Sequence, residues 1–501
     1  MKLIEIVQNN EKADGFNTAI VEEAFVFLGN NPEFDIPKED QKMLQLHQLK
    51  KLSNLVYDKM HSQFGQPYCI KLYREYLFVG FSLGTVKIFN VNKNQEENIL
   101  IPKKKKNFSS RVTWMDVSLS GNKLAVGYAN GKICVFDIIK WKILVEIDDV
   151  CKTEVNYISF LSDISSWSLV AADKRGFTHR IGLNKGLLKY NARSWKIIEN
   201  PIIGLSTIAV LKPQEGMPYE ALEWAELNIT AIASTEKISI FYLNHPIAHF
   251  YSINRTDFSK NFIRKGSLCY LDWGYGITPT ISRESSRCLL AIGWDKVLQI
   301  AILEDPTQNS SVISFDGYYI CDYPIDRVQF VSDSVIMILV NKKEARLLFI
   351  PSFLPGSFCK EGLEMKEIED SKVMTIETHS NSLFQVSLGE DFLRDLSIKA
   401  EVEKDVRLLD GNIRYTETSE KQNFTQTIVA FDNNIIILGQ NEFLLASLLH
   451  WGDFLEYVKD KCGWLICLKA ALDIFSGEIK GYYGVPYITD KREAVLIEKL
   501  K

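Results

Sequence analysis

A mainly β fold, a wheel of four-stranded sheets running into a helical segment, is predicted for this 501-residue chain by three observations. A glycine-punctuated hairpin recurs at offsets of 47 and 45 residues, and weaker copies of it continue to about residue 445. Beyond that point the apolar residues change from alternating to helical spacing.

The strongest copies align without gaps. They read Leu77-Phe-Val-Gly-Phe-Ser-Leu-Gly-Thr-Val-Lys-Ile-Phe89, Leu124-Ala-Val-Gly-Tyr-Ala-Asn-Gly-Lys-Ile-Cys-Val-Phe136 and Leu169-Val-Ala-Ala-Asp-Lys-Arg-Gly-Phe-Thr-His-Arg-Ile181. Each is a short apolar strand, a tight turn and a second alternating strand. Gly84, Gly131 and Gly176 share one turn position, where a positive φ would exclude most other residues. Gly80 and Gly127 belong to the same hairpins and are read with them as structural turn glycines. Weaker copies lie at residues 229–241, 289–300 and 335–349, with less regular hairpins at 382–398 and 428–445.

A unit of 45 to 60 residues leaves room for two further strands per copy, which describes the blade of a β-propeller. One such sheet cannot cover both of its faces; a ring of them does. The hairpin count favours seven blades, with eight as the alternative, over residues 61–445. A horseshoe of strands would repeat every ~20–29 residues, so the period selects the propeller.

Residues 1–60 lack the alternation and read as an N-terminal extension, partly helical or disordered. Leu46, Leu49, Leu52 and Val56 predict one helix within it. From the end of the last hairpin, Leu444, Leu448, Trp451, Leu455 and Val458 form one helical stripe, broken at Gly463. Trp464, Leu468, Ala471 and Phe475 form a second, ended by Gly477. Asp490 with Glu493 reads as a capping box before Ala494, Ile497 and Leu500. Residues 446–501 are therefore expected to be the first helices of an α-solenoid. The pattern stops without a closing glycine or proline, so a longer natural protein is expected.

Composition bounds the function. The chain is 46% hydrophobic and 24% charged, as soluble globular proteins are, and a net charge of -5 argues against nucleic-acid binding. Lys103-Lys104-Lys105-Lys106 reads as a solvated loop, with a phosphoinositide or partner patch as its alternative. The nine cysteines include no C-x-x-C pair; Cys134 sits in a strand pattern and Cys467 in a helical stripe, both as small hydrophobes. Neither a zinc site nor a disulfide framework is expected, which favours a reducing compartment. The start is too short in apolar residues for a signal peptide, and no window is long enough to span a membrane.

Gly80-Phe-Ser82-Leu-Gly84 matches a nucleophile elbow, but that chemistry needs a strand-to-helix turn, and Thr85-Val-Lys-Ile-Phe89 predicts a strand. The aligned copy has Ala129 in place of the serine. Inward-facing carboxylates in the channel would be the other mark of a hydrolytic propeller. His245 and His249 have metal-ligand spacing, yet Pro246 and the flanking aromatics predict a turn, and a third ligand is missing. Gly127-Tyr-Ala-Asn-Gly-Lys132 is one residue short of a phosphate loop and enters a strand. Trp114, Trp167, Trp224, Trp273 and Trp294 are expected in cores or between blades. No catalytic residue, metal or cofactor is predicted.

The second repeat, Ser118 to Asp137, resembles a degenerate WD-repeat blade with Phe136-Asp137 in place of Trp-Asp, although the sequence has no Gly-His dipeptide. It is similar to the repeat of the vacuolar protein sorting-associated protein 8 family. Leu271-Asp-Trp-Gly with Leu289-Leu-Ala-Ile-Gly-Trp-Asp-Lys-Val resembles a later blade of that family. Trp451-Gly-Asp-Phe-Leu, the stretch from Gly463 to Gly477 and Gly484-Val-Pro486 resemble the start of its helical region. Vacuolar protein sorting 41, of the late-endosomal tether, shares the layout. The resemblance implies a non-enzymatic subunit of the CORVET tether, cytosolic and peripheral on endosomal membranes. It implies a GTP-loaded endosomal Rab-family GTPase and sister subunits as partners. It maps no binding residues one by one, and the family's RING finger is not read within these 501 residues.

Overall fold

The computed structural model describes residues 44–57, 64–93, 95–101, 110–162, 167–186, 190–213, 225–244, 246–257, 263–279, 284–303, 313–321, 323–332, 335–340, 344–349, 383–387, 428–431, 433–438 and 443–476. Its strands form seven four-stranded antiparallel sheets. In six of them the four strands are consecutive in the chain, and these six are blades in the sense the repeat predicts. The innermost strands of the blades are Pro67–Tyr73, Val112–Val117, Val155–Phe160, Thr207–Val210, Cys269–Pro279 and Ile325–Phe330.

The remaining sheet is composite. Ile428–Phe431, Asn434–Leu438 and Phe443–Leu448 are joined by Leu44–Gln48, which pairs with the last of them in the register Leu44↔Leu448. Innermost strands touch one another in sequence around the ring, and Ile428–Phe431 touches both Ile325–Phe330 and Pro67–Tyr73. The wheel is therefore closed by an exchange between its two chain ends. This corrects the expectation of seven blades: six are built from consecutive strands, and the remaining sheet, which closes the wheel, borrows a strand from the segment read as an extension. Leu46 lies in that strand rather than on a helix.

The six hairpins read between residues 77 and 349 supply the second and third strands of the six blades; in the second blade these are Lys123–Tyr128 and Ile133–Asp137. Both are wholly buried, because they sit in the middle of the sheet and are covered by blades on either side. The two less regular hairpins differ: of 382–398 only Leu383–Ser387 lies within the described residues, as the fourth strand of the sixth blade, and 428–445 falls in the closing sheet. The outermost strands are more exposed, and Tyr190–Lys196 largely alternates, with one face in solvent. Separate apolar clusters lie between neighbouring blades; one joins Phe78, Val86 and Ile88 of the first blade to Val112, Met115 and Phe136 of the second.

Helix α1 (Lys50–Tyr57) lies over the closure. Its Leu52 and Val56 are buried with Leu77 and Phe89 of the first blade and Phe443 of the closing sheet. Ser53 Oγ accepts the Phe443 amide at 2.8 Å. After the wheel come α2 (Trp451–Cys462) and α3 (Trp464–Ser476), packed through Phe454, Leu455, Val458, Cys467, Ala470, Ala471 and Ile474. His450 caps α2, its Nδ1 accepting the Gly452 amide at 3.1 Å, and Gly463 ends it with φ +91°. One expectation is corrected here: Leu444 and Leu448 belong to a strand rather than to the helical stripe. Trp464 begins α3 as the second stripe predicts and is 69% exposed. The capping box at Asp490 lies outside the described residues.

Candidate functional site

Where the innermost strands converge, polar side chains from several blades meet. Asp116, near the end of Val112–Val117, is the centre of this group. Its Oδ1 is 2.9 Å from the Lys71 ammonium of the first blade. Its Oδ2 accepts from Ser159 Oγ at 3.2 Å, from the Phe160 amide at 2.8 Å and from the Lys212 ammonium. One carboxylate thus ties together the first four blades. Opposite, Asp272 accepts the Phe330 amide at 2.7 Å, with Arg327 beside it. The device is the same in both places: an inner-strand aspartate takes the last amide of the next blade's inner strand.

Burial drives both aspartates toward the neutral form, but their neighbours decide differently. At Asp116 the Lys212 and Lys71 ammonium groups outweigh burial and bring its value down to about 2. At Asp272 burial wins over the Phe330 amide and Arg327, and its value rises to about 6. Burial likewise brings the Arg327 guanidinium down to about 10 and raises the Tyr157 hydroxyl. Three donors already occupy Asp116 Oδ2, so this carboxylate acts as a rivet with two counter-cations rather than as a base. The channel carboxylates named as the mark of a hydrolytic propeller are present, and their hydrogen bonds run between blades. Aspartate is depleted in strands, so Asp116 and Asp272 inside otherwise apolar strand patterns were the signal available in the sequence.

The predicted turn glycines fall into two groups. Gly84, Gly131 and Gly176 occupy the turn between second and third strands with φ of +90°, +84° and +87°. A Cβ on Gly131 would lie 2.4 Å from the Cys151 carbonyl oxygen, and one on Gly176 2.2 Å from that of Ile202. Gly80 and Gly127 are not turn residues. They lie in the strands Tyr76–Phe81 and Lys123–Tyr128, where a Cβ would meet Val112 Cγ1 and Val155 Cγ1, each at 2.6 Å. Their small size admits the inner strand of the next blade. This corrects their assignment as turn glycines.

Ser82 accepts the Gln66 amide at 3.0 Å, and the chain runs on from it into the strand Val86–Asn90, so the elbow geometry is missing. His249 is bonded to Ser252 Oγ at 2.9 Å, and its ring stands edge-on to Phe241. His245 and the run Lys103–Lys106 lie outside the described residues. Among the described residues no cluster of His, Cys, Asp and Glu is arranged to hold a metal ion. Burial raises the thiols of Cys134 and Cys151 to about 12, which suppresses the reactive thiolate. Trp273 and Trp294 are buried and donate to the Ala209 and Ser267 carbonyls, at 3.1 and 3.3 Å. Trp114 and Trp167 are half-buried, and Trp224 is outside the described residues.

The surface feature that the sequence pattern does not reveal is one rim of the second blade. The turn between Ile133–Asp137 and Lys142–Ile147 is held by Asp137, whose Oδ1 accepts the Ile139 and Lys140 amides at 3.1 and 2.9 Å. Asp137 Oδ2 pairs with Lys123 at 3.0 Å. On this turn Ile139 is 68% and Trp141 42% exposed, and Trp141 has φ +51°. The neighbouring turn carries Leu119, 53% exposed, and the two are joined by the Ile138 amide donating to the Asn122 carbonyl at 3.1 Å. On the third blade's part of the same rim, Trp167 stacks on Tyr190 with ring centroids 5.3 Å apart, next to exposed Lys185.

The sequence profile of the Vps8 beta-propeller family matches residues 42–447. The chain belongs to the Vps8 family. The match begins just ahead of Leu44–Gln48 and ends within the last strand of the closing sheet, so the Vps8 propeller includes its N-terminal closing strand. No curated protein matches the chain. Among solved structures, the Cps50 (Swd1) β-propeller domain of Myceliophteria thermophila is similar at 13% identity and a TM-score of 0.41, covering 57% of this chain and 83% of that one. The computationally designed Ika8 protein is similar at 11% identity and a TM-score of 0.40, covering 77% of this chain and 84% of that one.

Proposed function

We propose that this Vps8-family chain is a non-enzymatic scaffold subunit of a CORVET-type endosomal tether. Its propeller binds a GTP-loaded Rab-family GTPase, and the helices from residue 451 begin an arm that assembles with sister subunits. The observation that carries this reading is the family match over residues 42–447, which covers the whole wheel. The channel supports the scaffold part of it. Asp116 and Asp272 lock blades to one another, which suits a rigid platform more than a catalytic centre. Rigidity matters for such a platform because surfaces held in one shape lose less conformational entropy when a partner docks.

The test is recovery of this chain on GTP-locked and GDP-locked endosomal Rab proteins. Preferential recovery on the GTP-locked form is expected. Equal recovery on both, or none, together with stoichiometric co-purification with coat subunits, would place the chain in a coat-type scaffold instead.

A further inference from the structure

We infer that the turn carrying Ile139 and Trp141 is a membrane-insertion element, which seats this rim of the propeller on an anionic lipid surface. This does not rest on the GTPase reading; it follows from what occupies the turn. Aligned by the 47-residue offset, the sequence of the first repeat has Asn92 and Asn94 at the positions of Ile139 and Trp141. The turns are capped alike: Asn90 Oδ1 accepts the Lys93 amide at 2.9 Å, as Asp137 accepts that of Lys140. Polar residues thus suit this turn, and asparagine suits a positive φ best after glycine. The second blade instead holds a tryptophan at φ +51° beside an isoleucine that is 68% exposed. Neither side chain is enclosed by the blade, and Ile139 above all is left to solvent.

The charges identify the occupant. Ile139 and Trp141 alternate with Lys140 and Lys142, both exposed, and Lys185 lies on the adjoining blade's part of the rim. The one carboxylate at the turn, Asp137, is taken up by two amides and Lys123. A convex turn with a few apolar tips offers far less than the ~800 Å² per partner of a stable protein interface. Leu119, on the joined turn, adds one more apolar tip and no groove. Shallow insertion needs no groove. Isoleucine and leucine enter the acyl boundary, tryptophan sits at headgroup level, and the lysines gain from anionic lipid.

The full chain is tested by flotation with protein-free phosphatidylcholine vesicles, plain or with about 30% phosphatidylserine. Binding to the anionic vesicles alone is expected, lost in about 0.5 M salt because the lysine attraction is screened. The double variant Ile139→Asn/Trp141→Asn restores the first blade's residues and relieves the backbone, so its thermal midpoint should not fall. Its vesicle affinity should drop about tenfold or more. Lys140→Glu/Lys142→Glu should lose the preference for anionic lipid. Absence of wild-type flotation, or unchanged flotation of the folded asparagine variant, overturns the proposal. So does a protein that binds through this turn while vesicles do not. The vesicles hold no GTPase, so failure here leaves Rab recovery to be judged separately.

Discussion

Glycine at Gly131 answers two demands at once, a left-handed backbone and the approach of the Cys151 carbonyl. Gly266 has a similar φ of +77°, but a Cβ added there would meet nothing within 4 Å. The pair therefore separates strain from crowding. Gly266→Ala should cost about 1 kcal/mol from backbone strain alone, and Gly131→Ala about 2 kcal/mol more, since the clash is with backbone that cannot rotate away. Denaturant midpoints of the two variants read the difference directly, and equal losses would mean that the connecting loop yields. Where the repeat lacks glycine, other chemistry takes over. Asp295 adopts φ +52° in the shortened turn of the fifth blade, while its carboxylate holds the Arg264 guanidinium at 2.8 Å. In the fourth blade, Ser234 Oγ accepts the Glu236 and Lys237 amides at 3.2 and 3.0 Å.

At the scale of elements, the strand Leu44–Gln48 has a role out of proportion to its five residues. It covers the outer edge of Phe443–Leu448, which otherwise presents unpaired amides and carbonyls. A chain beginning at residue 50 should therefore self-associate through that edge, and light scattering should find oligomers where the full chain is monodisperse. A monodisperse truncated chain of undiminished stability would show that the pairing is dispensable. Helix α1 follows this strand immediately, so both act on one closure: Leu52 is fully buried between the first blade and the closing sheet. The alternation that marks inner hairpins is weak in short edge strands, and Leu46, Leu49, Leu52 and Val56 mimic one helical stripe although a strand and a helix share them.

Across the whole molecule, the two aspartates give the channel opposite responses to pH. The folded value of Asp116, about 2, lies below the unfolded value near 4, so its contribution is full above about pH 4 and is lost as pH falls toward 2. The folded value of Asp272, about 6, lies above the unfolded one, so its contribution is full below about pH 4 and is lost as pH rises through 6. Each swing is worth about 2–3 kcal/mol. Asp272→Asn should remove the decline between pH 4 and 6 while keeping an acceptor for the Phe330 amide. Asp116→Asn should lose stability at neutral pH and flatten the acid limb. Urea midpoints taken across this range decide both.

What the sequence determined by itself was local and periodic. The hairpin period, the left-handed glycines at Gly84, Gly131 and Gly176 and the change to helices near residue 450 all arise from contacts within a few residues, and they were legible there. The family match agrees with the ordered repeats that carried the resemblance. What only the tertiary structure decided depends on residues far apart in the chain. Examples are the strand exchange between Leu44 and Leu448, Gly80 and Gly127 as gaps for the next blade, and Asp116 as the meeting point of four blades. Exposure belongs with these. Nothing in the repeat pattern singles out Ile139 and Trp141, because whether such a side chain is covered is set by the neighbouring elements that do, or do not, reach it.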